Sequence, residues 1–417
     1  MNTLRIAAAT AALIAFGAGI PRAPHALRAT AAFVAASLPY LPGSVIPLDV
    51  DGMTPPYRVS LTGPGSVDSH AYYLPPSTPD QSATLVASNA VALAARTIPF
   101  AAPPDPTRPF IAVASYDDGI VIHDASAPFT ERAALGIGGA PSDVAISENG
   151  DLAAGTTNGS TFTIAKLTPW SVRTYDGVLF SDEVATDART GAIFATDRDV
   201  NGAGALTRIA SDGTVDRRIL GLTSEGLVVD PRRRRVYVAN VNDGTISIVD
   251  ADTMVELRRF AAIPRVFSLA LSPDGSRLYA VSNQSITSPF SAAGSVAAFD
   301  VASRVPRLLA RSASLSFPVG VALDPAHREL FVTDEHDDVV DVLDATTLRA
   351  RHAPLATCDV PWKPTVDGAS LYVPCARADR VDVFSTDTLR REAGAPFATG
   401  GYPLAVAVWH PHPNVVR

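Results

Sequence analysis

An internal repeat constrains this chain more than any other feature. One pattern recurs: an apolar strand, a Pro/Asp/Gly turn, a strand of the type L-Y-V-x, a polar turn, a third strand ending in Asp, and a fourth strand. Its clearest copy, GLVVDPRRRRVYVANVNDGTISIVDADTMVELRRF, runs from Gly226 to Phe260. The second residue of each L-Y-V-like strand gives seven markers: Ala112, Ala153, Phe194, Tyr237, Tyr279, Phe331 and Tyr372. Their spacings are 41, 41, 43, 42, 52 and 41 residues. A period of roughly 40–45 residues with four strands per unit is that of a β-propeller blade. The one long interval comes from an insertion between Ser282 and Gly294.

Local chemistry agrees with the period. Segments such as Val236-Tyr237-Val238-Ala239 and Ile246-Ser247-Ile248-Val249 are β-branched or aromatic and alternate in character, which favours strand over helix. Asn242-Asp243-Gly244 and Pro273-Asp274-Gly275 supply turn residues that accept positive φ. The first unit lacks an innermost strand, because the Pro-rich AAPPDPTRP precedes it. The segment GGYPLAVAVWHP (Gly400–Pro411) aligns with GGAPSDVAIS and SFPVGVALDP and supplies the missing strand. The expected fold class is therefore all-β: a seven-bladed β-propeller over residues 109–411, closed by its C-terminal strand, with a small N-terminal β-rich segment.

The pattern x-P-x-x-V-A-[ILV]-x-[PD]-x-G…[LV]-Y-V-[AT]-N…G-[TV]-[IV]-x-[VI]-D, spread over about Arg108 to Pro411, resembles the YVTN-repeat (YncE-like) family of seven-bladed propellers. The third unit departs most: DEVATDARTGAIFATDRDVNGAG lacks the leading Pro and lengthens the middle turn. The resemblance implies the fold and an exported binding or scaffolding class. It carries no catalytic residue onto this chain.

Upstream of the repeats, Arg5 and the apolar run Ile6–Ile20 read as an export signal over residues 1–26, with no clear cleavage site. A second apolar stretch, Ala26–Leu41, leaves a retained N-terminal anchor as the alternative and as the one route to a membrane. Residues 44–102 alternate short strands with Gly/Pro turns and resemble a bacterial immunoglobulin-like domain. An irregular cap on the propeller is the other reading. Residues 103–108 form a Pro-rich linker, and no blade is expected to borrow a strand from before Pro104. A periplasmic or secreted location follows. Cys358 and Cys375 are the two cysteines, and in an oxidising compartment they are expected to pair.

The net charge of −8 opposes nucleic-acid binding. Loops expected on one face carry many acids. With the aromatic residues at the expected channel mouth they give a candidate ligand-binding face of Asp117, Asp243, Asp334, His336, Trp362 and Tyr402. A solvated turn face is the plainer reading of the acids, and packing between blades that of the aromatics. Asp197, Asp199 and Asn201, followed by Gly202, have the order of a calcium loop, so calcium is the candidate cofactor. Ala205 and Arg208 stand where an EF-hand loop would place its ninth and twelfth ligands, which leaves the set incomplete. No nucleophile elbow, P-loop, H-E-x-x-H or G-x-G-x-x-G is present.

The expected function is a monomeric binding or scaffolding protein for a protein or small ligand. The alternative is a metal-assisted hydrolase or lyase of the lactonase-like propeller type. Acids and His converging on the central axis would favour the enzyme. Acids spread around the rim would favour binding.

Overall fold

The computed structural model describes residues 32–33, 38–48, 50–51, 58–68, 71–75, 82–88, 93–157, 159–178, 180–198, 201–283 and 293–411. The expected export signal lies outside these residues, as does Asp199. Among the described residues there is no helix. Seven four-stranded antiparallel sheets carry the repeats.

Sheet I pairs Glu131–Leu135, Gly119–Asp124 and Phe110–Ser115 with the C-terminal strand Pro403–Trp409. Sheet II runs Ala145–Ile146, Leu152–Gly155, Thr161–Lys166, Ser171–Asp176; sheet III runs Val184–Thr186, Ile193–Arg198, Ala203–Ile209, Val215–Leu222. Sheet IV runs Ser224–Asp230, Arg235–Asn240, Thr245–Asp250, Glu256–Ala261; sheet V runs Val266–Leu271, Arg277–Ser282, Ser295–Asp300, Arg307–Arg311. Sheet VI runs Pro318–Asp324, Glu329–Asp334, Val339–Asp344, Leu355–Ala356; sheet VII runs Thr365–Asp367, Ser370–Cys375, Arg380–Ser385, Phe397–Ala398.

The first strand of each sheet touches the first strand of the next, and Pro403–Trp409 touches those of both sheet II and sheet VII. The innermost strands thus form a ring, which is the plan of a β-propeller. Each marker residue lies on a second strand. A small or β-branched first-strand residue faces it: Ala185 opposite Phe194, Val228 opposite Tyr237, Ala322 opposite Phe331. Alternating small and large residues fills the taper between neighbouring sheets, and Phe194, Tyr237 and Phe331 are fully buried there. Cys358, on the connector into sheet VII, is disulfide-bonded to Cys375 at the end of that sheet's second strand, with Cα atoms 5.6 Å apart.

Residues 38–100 build two three-stranded antiparallel sheets, Val45–Pro47 with Ala71–Tyr73 and Ser66–Val67, and Arg58–Thr62 with Ser82–Ser88 and Leu93–Pro99. Tyr40, Tyr72, Leu85, Ile98 and Phe100 form their core. No strand of the seven sheets comes from before Pro104, but this segment packs and hydrogen-bonds against the repeats. Leu41 N donates to Ala134 O, Ala134 N to Pro39 O, and Val45 N to Gly136 O. Leu41 packs into the core of sheets I and II, and Trp170 Nε1 donates to Pro42 O at 3.0 Å. The outer edge of sheet I is covered by the chain's own N-terminal side, which removes an open pairing edge.

The C-terminal strand is anchored by Trp409. Its ring is buried and lies 5.3 Å from that of Phe110, centroid to centroid. His123, also buried, ties the same sheet to the sheet VII connector: its ring bonds Phe129 O at 3.0 Å and Thr399 Oγ1 at 2.9 Å. Burial pushes its pKa down to about 4, so it is held neutral. Trp409→Ala should cost about 3–5 kcal/mol of folding stability through the cavity it leaves. Denaturant unfolding followed by circular dichroism will measure it.

Candidate functional site

The repeat register delivers one side chain per sheet to the axis. The equivalent position, at the entry of each innermost strand, reads Ser142, Asp182, Glu225, Phe267, Val319, Trp362 and Leu404. The first six of these, with Glu183 and Lys363 from the position that follows, line one small cavity of about 20 Å³. One side of the axis is apolar: Val319, Trp362 and Leu404 pack with Phe317, and Phe267 meets Trp362 edge-on with centroids 6.2 Å apart. The other side is charged.

Lys363 links three sheets across this axis. Its Nζ donates to Asp143 Oδ2 at 2.6 Å and lies 3.3 Å from Glu183 Oε1. Asp143 in turn accepts from Val144 N and Val184 N, both at 2.9 Å, and Glu183 Oε2 accepts from Leu227 N at 2.6 Å. Sheets II, III, IV and VII are thereby joined through one ammonium and two carboxylates. Burial alone would push the Lys363 pKa down, but Asp143 and Glu183 outweigh it and hold the amine charged, above its ordinary range.

A second group lies beside it. The Arg198 guanidinium, at the end of the second strand of sheet III, sits 3.7 Å from Asp182 Oδ2 and 3.6 Å from Glu225 Oε1. Both Asp182 carboxylate oxygens, Glu225 Oε1 and Arg198 Nη2 are buried without a hydrogen-bond partner among the described residues. Burial, partly offset by Arg198, raises Asp182 to about 6. Burial likewise raises Glu183 to about 7 despite Lys363, and lifts Glu225 well above the carboxylate range, helped by the charge of Asp182. The cavity between them takes about one water molecule.

The six residues expected to form a ligand face fall into two places. Asp117, Asp334, His336, Trp362 and Tyr402 surround the mouth at sheets I, VI and VII. Asp117 N donates to Gly401 O, and the Tyr402 ring lies 6.0 Å from that of Tyr116. Asp334 is buried and accepts from the amides of Ser316, Phe317 and His336, so it shapes the connector entering sheet VI. His336 is exposed, with Nδ1 2.9 Å from Asp337 Oδ1 and 3.0 Å from Ser316 Oγ. Trp362 is buried in the axial packing. Asp243 stands elsewhere around the ring, in the corresponding turn of sheet IV, where it accepts from Leu222 N of sheet III at 2.8 Å.

At the calcium-like turn, Asp197 belongs to a buried strand. Its Oδ1 is held by Arg217 Nε at 2.9 Å and its Oδ2 by Thr207 Oγ1 at 2.6 Å. Asn201 is exposed at the following turn. Among the described residues the single cluster of three metal-ligating types is Cys358, Cys375 and Asp382, and its two cysteines are bonded to each other.

Of the axial residues, Trp362 stood in the expected ligand face, whereas Asp143, Arg198, Glu225 and Lys363 did not. Aligning the seven units on the innermost strand rather than the second would have exposed them. A larger cleft, of about 510 Å³, opens between sheets II and III at the perimeter, beside Lys166, Arg173 and Tyr175 and away from every expected site residue.

No protein-family model matches the chain, and no curated protein matches it. Solved structures do. A protein of unknown function from Desulfotomaculum acetoxidans superposes with a TM-score of 0.59 at 14% identity, over 73% of this chain and 99% of that one. A proposed 6-phosphogluconolactonase from Bacteroides fragilis gives 0.58 at 14%, over 73% and 98%. The Cps50 (Swd1) β-propeller domain of Myceliophteria thermophila gives 0.56 at 12%, over 66% and 93%. The chain is a β-propeller protein. At these identities the likeness carries the fold and nothing finer.

Raised carboxyls give the site a pH signature. Asp182 and Glu183 at about 6 and 7, Glu335 at about 7 and Asp341 at about 6 are all lifted chiefly by burial from ordinary values of 3.8 and 4.5. At about pH 5–6 the folded chain holds protons that the unfolded chain has released, so stability falls as pH rises from about 4.5 to 7. Thermal melts should give a lower Tm at pH 8 than at pH 5. Asp182→Asn should flatten that slope and raise the pH 8 Tm by a few °C, at about 2–4 °C per kcal/mol. Lys363→Met should cost about 3–5 kcal/mol at pH 8, by stranding two buried carboxylates. The loss should shrink at pH 5, where Glu183 takes up a proton.

Proposed function

We propose that the chain is an exported binding or scaffolding module: a seven-bladed propeller of YVTN type, closed by its C-terminal strand. An immunoglobulin-like segment braces its first blade. Its mouth holds a protein or small ligand through the exposed groups around Asp117, His336 and Tyr402. The observation that carries this reading is the axis itself. Its cavity, of about 20 Å³, is lined by the charged side chains of Asp182, Glu183, Glu225 and Lys363, which face one another, Asp143 or Arg198. No organic substrate fits there, and no His faces it. Recognition then falls to the rim, where His336 and Asp117 are exposed. Export is supported by the N-terminal apolar run and by the disulfide between Cys358 and Cys375.

One observation favours the hydrolase reading: Glu183 is lifted to about 7, a pKa suited to general acid–base work near neutrality. The absence of room beside it weighs more.

Two measurements test the choice. A photo-crosslinking residue at His336 or Asp117, introduced in the producing cell, should give a discrete adduct. One at Arg232, on the opposite face, should not. Purified protein incubated with δ-gluconolactone or its 6-phosphate should hydrolyse neither faster than buffer does. Turnover abolished by Glu183→Gln would replace this reading with the enzymatic one.

A further inference from the structure

The outer strands of the seven sheets are unequal. That of sheet I is covered by Pro39–Val45; that of sheet II meets the same segment only at its start, through Trp170 and Val172, and its exposed side chains, Ser171, Arg173, Thr174 and Asp176, are polar. Sheets VI and VII end in strands of two residues, too short to offer a pairing edge. Sheets III, IV and V end in strands of eight, six and five residues. Among the described residues nothing pairs with their outer edges.

Exposed apolar side chains gather on those three strands. Of nine exposed large hydrophobic residues among the described ones, eight lie on or beside them. Scattered exposure needs no explanation, but this concentration marks an interaction surface. Sheet III has the longest edge and presents Val215, Ile219 and Leu222 at 46, 53 and 49% exposure. A long, apolar, uncovered edge strand is a template for another strand. The chain already uses one of its outer edges in that way: Tyr40 and Val45 form parallel bridges to Ala134 and Ile137 at sheet I.

We infer that two copies of this chain join through the outer edges of their sheets III, Val215–Leu220 pairing antiparallel with its own counterpart across a two-fold axis. The strand is self-complementary in one register. Centred on Arg217, it sets Val215 opposite Ile219 and Asp216 opposite Arg218, each contact made twice by symmetry. Opposite charges and paired apolar groups across strands are stabilising, whereas like charges are not. Moving the centre to Arg218 puts that residue against itself, and a centre between the two sets Arg217 against Arg218. The Arg217 that meets its copy at the centre is already neutralised by Asp197. Arg218 makes no direct hydrogen bond or ion pair among the described residues, and Asp216, whose Oδ2 is held by Arg208 of its own sheet, keeps Oδ1 for Arg218 of the second copy. At the end of the strand the amides of Gly221 and Leu222 are taken by Asn240 and Asp243, which confines pairing to Val215–Leu220. The dimer departs from the monomer expected from the sequence and is independent of what the mouth binds.

Sedimentation-equilibrium measurements on the full-length protein, loaded from about 1 to 100 μM, test it. The wild type should sediment at twice the chain mass at the upper end. Ile219→Lys should weaken the dimer at least tenfold with an unchanged Tm, since that side chain supports no core. Arg218→Asp should weaken it similarly, while the conservative Arg218→Lys, which keeps a cation opposite Asp216, should leave it intact. Loss on charge reversal with retention on charge conservation separates edge pairing in this register from any other apolar contact. A wild type that is monomeric throughout would overturn the inference and assign the surface to a different partner. So would a dimer indifferent to both Ile219→Lys and Arg218→Asp.

Discussion

The propeller is organised around one ammonium group. Seven innermost strands converge on the axis, and three of the first four sheets after the closing one bring carboxylates there. Left alone, Asp143, Asp182, Glu183 and Glu225 would repel one another in a space with almost no water. Lys363 reaches from sheet VII to Asp143 and Glu183, and Arg198 stands between Asp182 and Glu225. Two cations thereby hold four acids, and every contact except that of Arg198 with Asp182 crosses from one sheet to another. Such buried pairs contribute little net stability, because desolvation consumes most of the attraction, yet removing one partner is costly. Their effect here is to fix which sheet faces which across a ring whose apolar contacts are locally similar.

The acids of the mouth have a comparable structural duty. Asp118 Oδ2 accepts from Gly401 N at 2.6 Å, Asp338 Oδ1 from Val360 N at 3.1 Å, and Asp379 Oδ1 from Tyr402 N at 2.9 Å. Each is a turn residue between second and third strands, and each caps an amide of a connector between sheets. Connectors carry backbone donors that no ladder satisfies, so a short acid in the neighbouring turn is the nearest acceptor. Much of the acidity read as a binding face is spent in this way. What remains for a ligand are the groups not so engaged, such as His336 and the rim of Tyr402.

How much of this was legible follows from periodicity. The markers from Ala112 to Tyr372 fall on the second strand of each sheet because that strand is buried on both faces, and its apolar run survives divergence. The C-terminal strand was legible by alignment, since PLAVAVW repeats the first-strand pattern. Most of the axis was not, because the entry position takes Ser, Asp, Glu, Phe, Val, Trp or Leu, and the position after it Asp, Glu, Gly, Ser, Lys or Ala. The occupant is decided by residues on other sheets, as Lys363 is by Asp143, 220 positions away. The docking of Pro39–Val45 was hidden for a related reason. Leu38–Leu41 continues an apolar stretch that reads as leader or anchor, and nothing local says that Leu41 completes the core of sheets I and II.

The unequal outer wall follows from that docking. A propeller settles its inner edges by closing the ring, but each sheet keeps one outer edge, and each must be shortened, covered or charged. All three solutions occur in one molecule: two-residue strands at sheets VI and VII, the N-terminal segment over sheet I and the start of the sheet II edge, and paired arginines on sheets III and IV. The last is incomplete, because Ile219 and Leu257 stay exposed among those arginines. Charge on an edge discourages indiscriminate pairing while leaving a strand of matching charge able to add. The side of the wall opposite the N-terminal cover is therefore where this propeller remains selective rather than sealed.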